Sequence, residues 1–192
     1  MPESAVSKAE LRKVALARRA ELDPEVRIAA SELAARKLLP LVRPGEVVSL
    51  FWPMRDEIDP RVLVGDVHAL GGRIAMPVVA DRRMFFRLFN GPESLEAGVF
   101  GTQHPNAGQP IVDPDFVVAP LAAFDRRGGR IGYGAGYYDM ATADLKARGK
   151  PFRLAGIAFA CQEVAHVPVE PHDEPLAAIA TERELIRVGP AA

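Results

Sequence analysis

An apolar run, Phe116 to Ala119, is separated from a helix-forming stretch beginning at Tyr137 by a segment with glycine at 132, 134 and 136. A strand that passes through a glycine-rich turn into a helix restricts the chain to folds in which helices cross over a sheet. These glycines free the backbone to turn its N–H groups inward, and the next helix points its positive end at the same space, so the junction reads as a phosphate cradle. Arg130 can add a two-pronged guanidinium, and Asp139, near the helix start, can hold a divalent cation that phosphates also bind. Glycines alone would equally serve a tight turn between strand and helix. The spacing Gly-x-Gly-x-Gly followed by Tyr137-Tyr138 is neither the dinucleotide fingerprint nor a P-loop, which needs Gly-Lys-Ser/Thr. The tyrosine pair suits a core, or a surface that stacks on a flat heterocycle.

Around this junction the chain reads as two strand–helix–strand units. Ser7 with Glu10 forms a capping box for a helix running to about Glu21, with Leu11, Val14 and Ala15 at helical spacing. Asp23-Pro24 opens a second helix whose apolar face is Ile28, Ala29, Leu33 and Leu38, ended by Pro40. Glu46 to Trp52 reads as a buried strand, Asp59-Pro60 caps a third helix that closes at Gly71-Gly72, and Arg73 to Val79 returns as a strand. Met84 to Phe89 is a further strand, and Gly91 to Pro114 a long surface loop. Phe116 to Ala119, a helix from Tyr137 to Arg148 and a strand from Arg153 to Phe159 repeat the pattern, with Ala177 to Ala180 and Glu184 to Val188 at the sheet edge. Parallel pairing follows, and with it an α/β sandwich in a single domain over 1–192.

A net charge of -1 gives no global field for a nucleic-acid backbone or an anionic bilayer, so any phosphate must be held locally. Apolar runs far short of ~20 residues argue against a membrane span. A single cysteine, Cys161, and no leader-like start point to a reducing, cytoplasmic setting. Cys161 reads as a packed residue, and the histidines show no metal-ligand spacing.

The stretch from Val118 to Asp139 resembles the signature of the 5-formyltetrahydrofolate cyclo-ligase family: apolar strand, Pro, Ala-Phe-Asp, then Gly-x-Arg-Leu-Gly-x-Gly-x-Gly-Tyr-Tyr-Asp. Further marks lie in order along nearly the whole chain. They are Lys8 with Arg12, Trp52 to Asp59, Met76-Pro77, Glu170-Pro171-His172-Asp173, and Thr181. The chain departs from the pattern at Ile131, Ala135 and Met140, and Leu121 stands where glycine is frequent.

The resemblance implies a three-layer α/β sandwich with a mostly parallel sheet, similar to the NagB/RpiA/CoA-transferase-like fold. It implies ATP-dependent cyclisation of 5-formyltetrahydrofolate to 5,10-methenyltetrahydrofolate through a phosphorylated formyl group, by a monomer that binds neither nucleic acid nor membrane. ATP is expected along Arg130, Ile131, Gly132, Tyr133, Gly134, Ala135, Gly136, Tyr137 and Tyr138, its phosphates clamped by Lys8, Arg12 and Arg130. Trp52 and Glu57, with Tyr133 to Tyr137, are expected at the folate, Arg130 and Tyr137 at the chemistry, and Asp139 and Asp173 on Mg²⁺. Without the resemblance, Lys8 and Arg12 look like an ordinary solvated face and Trp52 suits a core equally well. The alternative is a non-catalytic family member that binds folate or nucleotide; a sugar-phosphate isomerase or CoA-transferase relative would share only the fold.

Overall fold

Local signals start the two N-terminal helices. In the computed structural model, which describes residues 6–170, 173–174 and 176–189, Ser7 opens α1 (Lys8–Ala20). Its hydroxyl accepts from the Glu10 N–H at 3.2 Å while the Glu10 carboxylate accepts from the Ser7 N–H at 2.9 Å. Asp23 opens α2 (Pro24–Leu38) by accepting from the Glu25 N–H at 2.8 Å. Two shorter helices follow, α3 (Leu63–Ala69) and α4 (Tyr137–Ala147).

The strands in chain order are β1 (Val47–Ser49), β2 (Arg73–Ala80), β3 (Arg83–Leu88), β4 (Leu95–Ala97), β5 (Gln103–Pro105), β6 (Phe116–Pro120), β7 (Ala123–Phe124), β8 (Arg130–Ile131), β9 (Arg153–Ile157), β10 (Ala178–Ala180) and β11 (Leu185–Arg187). A 7-stranded sheet runs β11-β10-β9-β6-β1-β2-β3, parallel from β2 to β10 and antiparallel at both edges. Successive side chains in its central strands go to opposite faces, and both faces are covered. Leu38 of α2 and Leu63 and Val67 of α3 pack with Val48, Ile74 and Phe116 on one side. Ala141 and Leu145 of α4 pack with Val117, Leu154 and Ile179 on the other. The result is the expected three-layer α/β architecture with a mostly parallel sheet.

Several expectations are corrected. The face of α2 is not the one its larger aliphatics suggest: Ile28 is 72% exposed and Leu33 53%, and Ala29 is exposed too. Ala30, Ser31, Ala34, Ala35 and Leu38 are buried instead, because small side chains let the helix sit close to the sheet. On α1, Val14 is likewise exposed while Ala15 is fully buried. Asp59 does not cap the third helix, which begins four residues later at Leu63. Its carboxylate is held by the Arg61 N–H at 2.9 Å and by the Arg61 guanidinium at 2.6 Å. The segment 91–114 is not a plain loop but carries the β4–β5 hairpin. A second hairpin, β7–β8, precedes the glycine segment and was not foreseen, since each of its strands is two residues long. Among the described residues no helix is long and apolar enough to cross a membrane.

The order of the sheet decides where a ligand fits. From β1 the chain crosses by α3 to β2 on one side, and from β6 it crosses by α4 to β9 on the other. Adjacent parallel strands whose crossovers diverge leave a crevice beyond their carboxyl ends, the usual binding position in open α/β sheets. Phe51 and Trp52 follow β1 there, and Leu121 follows β6.

Candidate functional site

A cavity of about 690 Å³ opens at this crevice. Every site residue named from the sequence lines it: Lys8 and Arg12 from α1, Trp52 and Glu57 after β1, Arg130 to Asp139, and Asp173. Missed from sequence was the apolar wall of Met54, Pro77, Val79 and Met84, three of them on the β2–β3 hairpin. Alternation along β2 could have shown it, because Met76 is buried in the core whereas Pro77 and Val79 face the cavity. Pro171 and His172 lie outside the described residues, and Thr181 is buried in the turn before β11.

The glycine segment takes its shape from backbone that other residues adopt only with strain. Gly134 has φ +100° and Gly136, at the N-cap of α4, φ +66°. A turn held by Asp125 leads into it. That carboxylate, 1% exposed, accepts from the N–H groups of Arg127 (2.9 Å), Gly129 (3.0 Å) and Val167 (2.8 Å). Burial raises its pKa, yet these three bonds and Arg127 outweigh burial and hold it below the ordinary value.

One end of the cavity gathers charges of both signs. Lys8 Nζ lies 3.2 Å from both Asp173 Oδ2 and Glu170 Oε1. Arg130 bonds Asp139 with one terminal nitrogen and the Glu174 carbonyl with the other. Arg12 donates Nε to the Gly132 carbonyl at 2.7 Å, which ties α1 to the glycine segment. Burial raises the Asp173 pKa, but the Glu170 N–H and the Lys8 ammonium outweigh it, so the carboxylate stays ionised below its usual range. Among the described residues no group of three or more His, Cys, Asp or Glu is placed to hold a metal by itself.

The other end is more apolar. Trp52 is half-buried, with the Arg61 guanidinium 4.2 Å from its ring centroid and Phe89 tilted against it at 6.3 Å. Glu57 accepts from the Met54 N–H at 2.8 Å. Burial is the main reason its pKa is raised, and the Tyr133 hydroxyl and Arg19 pull it back in part. The Tyr138 hydroxyl is buried with no hydrogen-bond partner among the described residues, and burial, then Glu57 and Tyr133, push its pKa up. Sequence reasoning did not single out Arg19. Its signal was the face it shares with Lys8 and Arg12, since 8, 12, 15 and 19 form one helical stripe with Ala15 buried within it. Leu121, which departs from the family pattern, lies over Gly156 on β9 so closely that a Cβ there would come within 2.4 Å of its Cδ1.

The model of the 5-formyltetrahydrofolate cyclo-ligase family matches residues 4–182. The 5-formyltetrahydrofolate cyclo-ligase of Escherichia coli K12 is 29% identical over 174 residues, covering 85% of this chain and 94% of that protein. Its Mycolicibacterium smegmatis counterpart is 27% identical over 176 residues, covering 87% and 89%. Among solved structures, the 5,10-methenyltetrahydrofolate synthetase of Aquifex aeolicus superposes with a TM-score of 0.79 at 28% identity, covering 96% of this chain and 94% of that one. The Mycoplasma pneumoniae protein shares the fold at a TM-score of 0.73 and 20% identity, covering 92% and 99%.

Proposed function

The chain belongs to the 5-formyltetrahydrofolate cyclo-ligase family, and from that premise we propose that it converts 5-formyltetrahydrofolate to 5,10-methenyltetrahydrofolate with cleavage of ATP to ADP and phosphate. The observation that carries this reading is one cavity with two chemically different ends. Lys8, Arg12 and Arg130 line it with Asp139 and Asp173, Trp52 and Glu57 line it with Met54 and Phe51, and the glycine segment runs along it between the two groups.

The formyl oxygen of an amide is a poor leaving group. In the proposed reaction it attacks the γ-phosphorus of ATP, the bond from that phosphorus to the bridging oxygen breaks, and ADP leaves. The resulting phosphorylated iminium carbon is attacked by the neighbouring folate nitrogen, which gives up its proton, and phosphate departs with the former formyl oxygen. Protein groups contribute position and charge stabilisation rather than a covalent nucleophile. Lys8, Arg12 and Arg130 bind the phosphate oxygens, Gly132 to Tyr138 wrap the polyphosphate, and Tyr137 lies beside the reacting groups. Glu57 accepts N–H groups of the pterin and Trp52 offers an aromatic wall.

The donor set also suits Mg²⁺. Asp139 and Asp173 are two carboxylates on the phosphate end, a number appropriate to a hard cation that takes its remaining oxygens from phosphate and water. Bound there, the ion neutralises charge on the polyphosphate.

The test is optical. Protein mixed with 5-formyltetrahydrofolate, ATP and Mg²⁺ is expected to produce the near-ultraviolet absorbance of the methenyl product, and to produce none when ATP is omitted or EDTA added. Absorbance that rises equally with a non-hydrolysable ATP analogue would remove the phosphorylation step.

A further inference from the structure

One buried network at the folate end has no task in the reaction as described. Arg19 of α1 is 6% exposed, and its guanidinium grips Asp56 with Nη2 at 2.8 Å and Nε at 3.2 Å. A charge so far from water needs an opposite charge, and Asp56 provides it at ion-pair distance. Yet the remaining nitrogen, Nη1, donates to the Tyr133 hydroxyl, and the guanidinium carbon lies 5.7 Å from that ring's centroid. Tyr133 belongs to the glycine segment, and its residue is 41% exposed. The segment is therefore tied to α1 at two points, by Arg12 on the Gly132 carbonyl and by Arg19 on the Tyr133 hydroxyl. The Glu57 carboxylate lines the same cavity as Tyr133 and interacts with its hydroxyl.

We propose that Arg19 and Asp56 are positioning residues for the folate: their buried pair fixes the Tyr133 hydroxyl against Glu57, and so sets where Glu57 can accept the N–H groups of a heterocycle. The proposal rests on the cyclo-ligase reading only in naming that heterocycle as the pterin. The network orders the acceptor before ligand arrives, so it acts on binding of the folate more than on phosphoryl transfer.

Among the described residues the Glu57 carboxylate accepts from the Met54 N–H at 2.8 Å and interacts with Arg19 from α1, Asp56 beside it in the chain, Tyr133 from the glycine segment and Tyr138 from α4. Arg19 favours the ionised form and Asp56 disfavours it. In the ligand-free protein the Glu57 carboxyl carbon can be followed against pH by ¹³C NMR. Arg19→Gln is expected to raise its midpoint and Asp56→Asn to lower it, each by at least about half a pH unit. Shifts of one sign in both variants, or none, overturn the proposal, because a merely loosened fold does not distinguish the two charges.

Kinetics supply the second arm. Tyr133→Phe keeps both partners of the Arg19–Asp56 pair and is expected to raise the KM for 5-formyltetrahydrofolate at least about fivefold, a larger factor than its effect on kcat or on the KM for ATP. If Arg19 acts through Tyr133, the Arg19→Gln/Tyr133→Phe double variant is no worse than Arg19→Gln alone, whereas effects that multiply contradict it. A parent chain that does not convert the folate sinks the proposed function alone, since the Glu57 titration still decides the network.

Discussion

Arg130 lines the cavity with 9% of its side chain exposed, and its two terminal nitrogens are held by Asp139 and the Glu174 carbonyl. Lysine keeps the charge but not the planar pair of donors. Arg130→Lys is expected to lower kcat at least about tenfold, with a smaller change in the KM for ATP. Arg126 and Arg127 are the controls: 53% and 65% of their side chains are exposed, and Arg126 is taken up by Glu184. Lysine at either should leave turnover within about twofold of the parent. Asp139→Asn and Asp173→Asn should each abolish turnover at limiting Mg²⁺ while leaving the melting temperature nearly unchanged, because the amide oxygen still accepts from Arg130 or Lys8. Near-normal activity in either variant at low Mg²⁺ removes that residue from the metal site. At this scale the glycine segment was legible because its backbone geometry admits few residue types. Asp56 was not, since in one dimension it looks like any loop acid, and Arg19 showed only as a member of the stripe that carries Lys8 and Arg12 on α1, with nothing to mark it as buried. Only the crossing of α1 over the glycine segment brings them together with Tyr133.

Among the elements, the short β7–β8 hairpin governs the approach of Arg130 and the glycine segment. Its turn closes on Asp125, whose carboxylate satisfies three backbone N–H groups in a dry site. Asp125→Ala strands those donors and is expected to cost about 2–4 kcal/mol of stability, seen as a lower urea midpoint at pH 7. The pH dependence has a definite sign. Because the folded pKa is depressed, the stabilisation is complete above the unfolded carboxyl pKa, near about 3.9, and is lost as pH falls through the lower folded value. The gap between parent and variant should therefore shrink in acid; a gap that stays constant from pH 7 to pH 3 means the ionised carboxylate is not what stabilises the turn. Central strands and caps were readable from apolar runs and from Ser7, Asp23 and Gly71. The face of α2 was not, because close packing of alanine against the sheet overrides side-chain size. The β4–β5 and β7–β8 hairpins escaped because two- and three-residue strands carry too little alternation to register.

For the molecule as a whole, the decisive fact is that β1 and β6 are neighbours whose crossovers diverge, which places the crevice and the glycine segment at the carboxyl ends of the central strands. The order of helices and strands foretold a mostly parallel sheet, and the glycine junction foretold which end of it would carry the site. Alternation along β2 could have pointed to Pro77 and Val79, whereas the addition of Met84 to the same apolar wall follows from the β2–β3 pairing register, which the linear pattern does not carry. The central claim is that both ends of the cavity act on one substrate pair, with the formyl oxygen as the phosphoryl acceptor. Its most direct measurement uses 5-formyltetrahydrofolate labelled with ¹⁸O in the formyl group, turned over by the protein with ATP and Mg²⁺, followed by mass analysis of the phosphate released. The account predicts one ¹⁸O atom in each phosphate formed per methenyl product. Unlabelled phosphate, with the label lost to water, would contradict it.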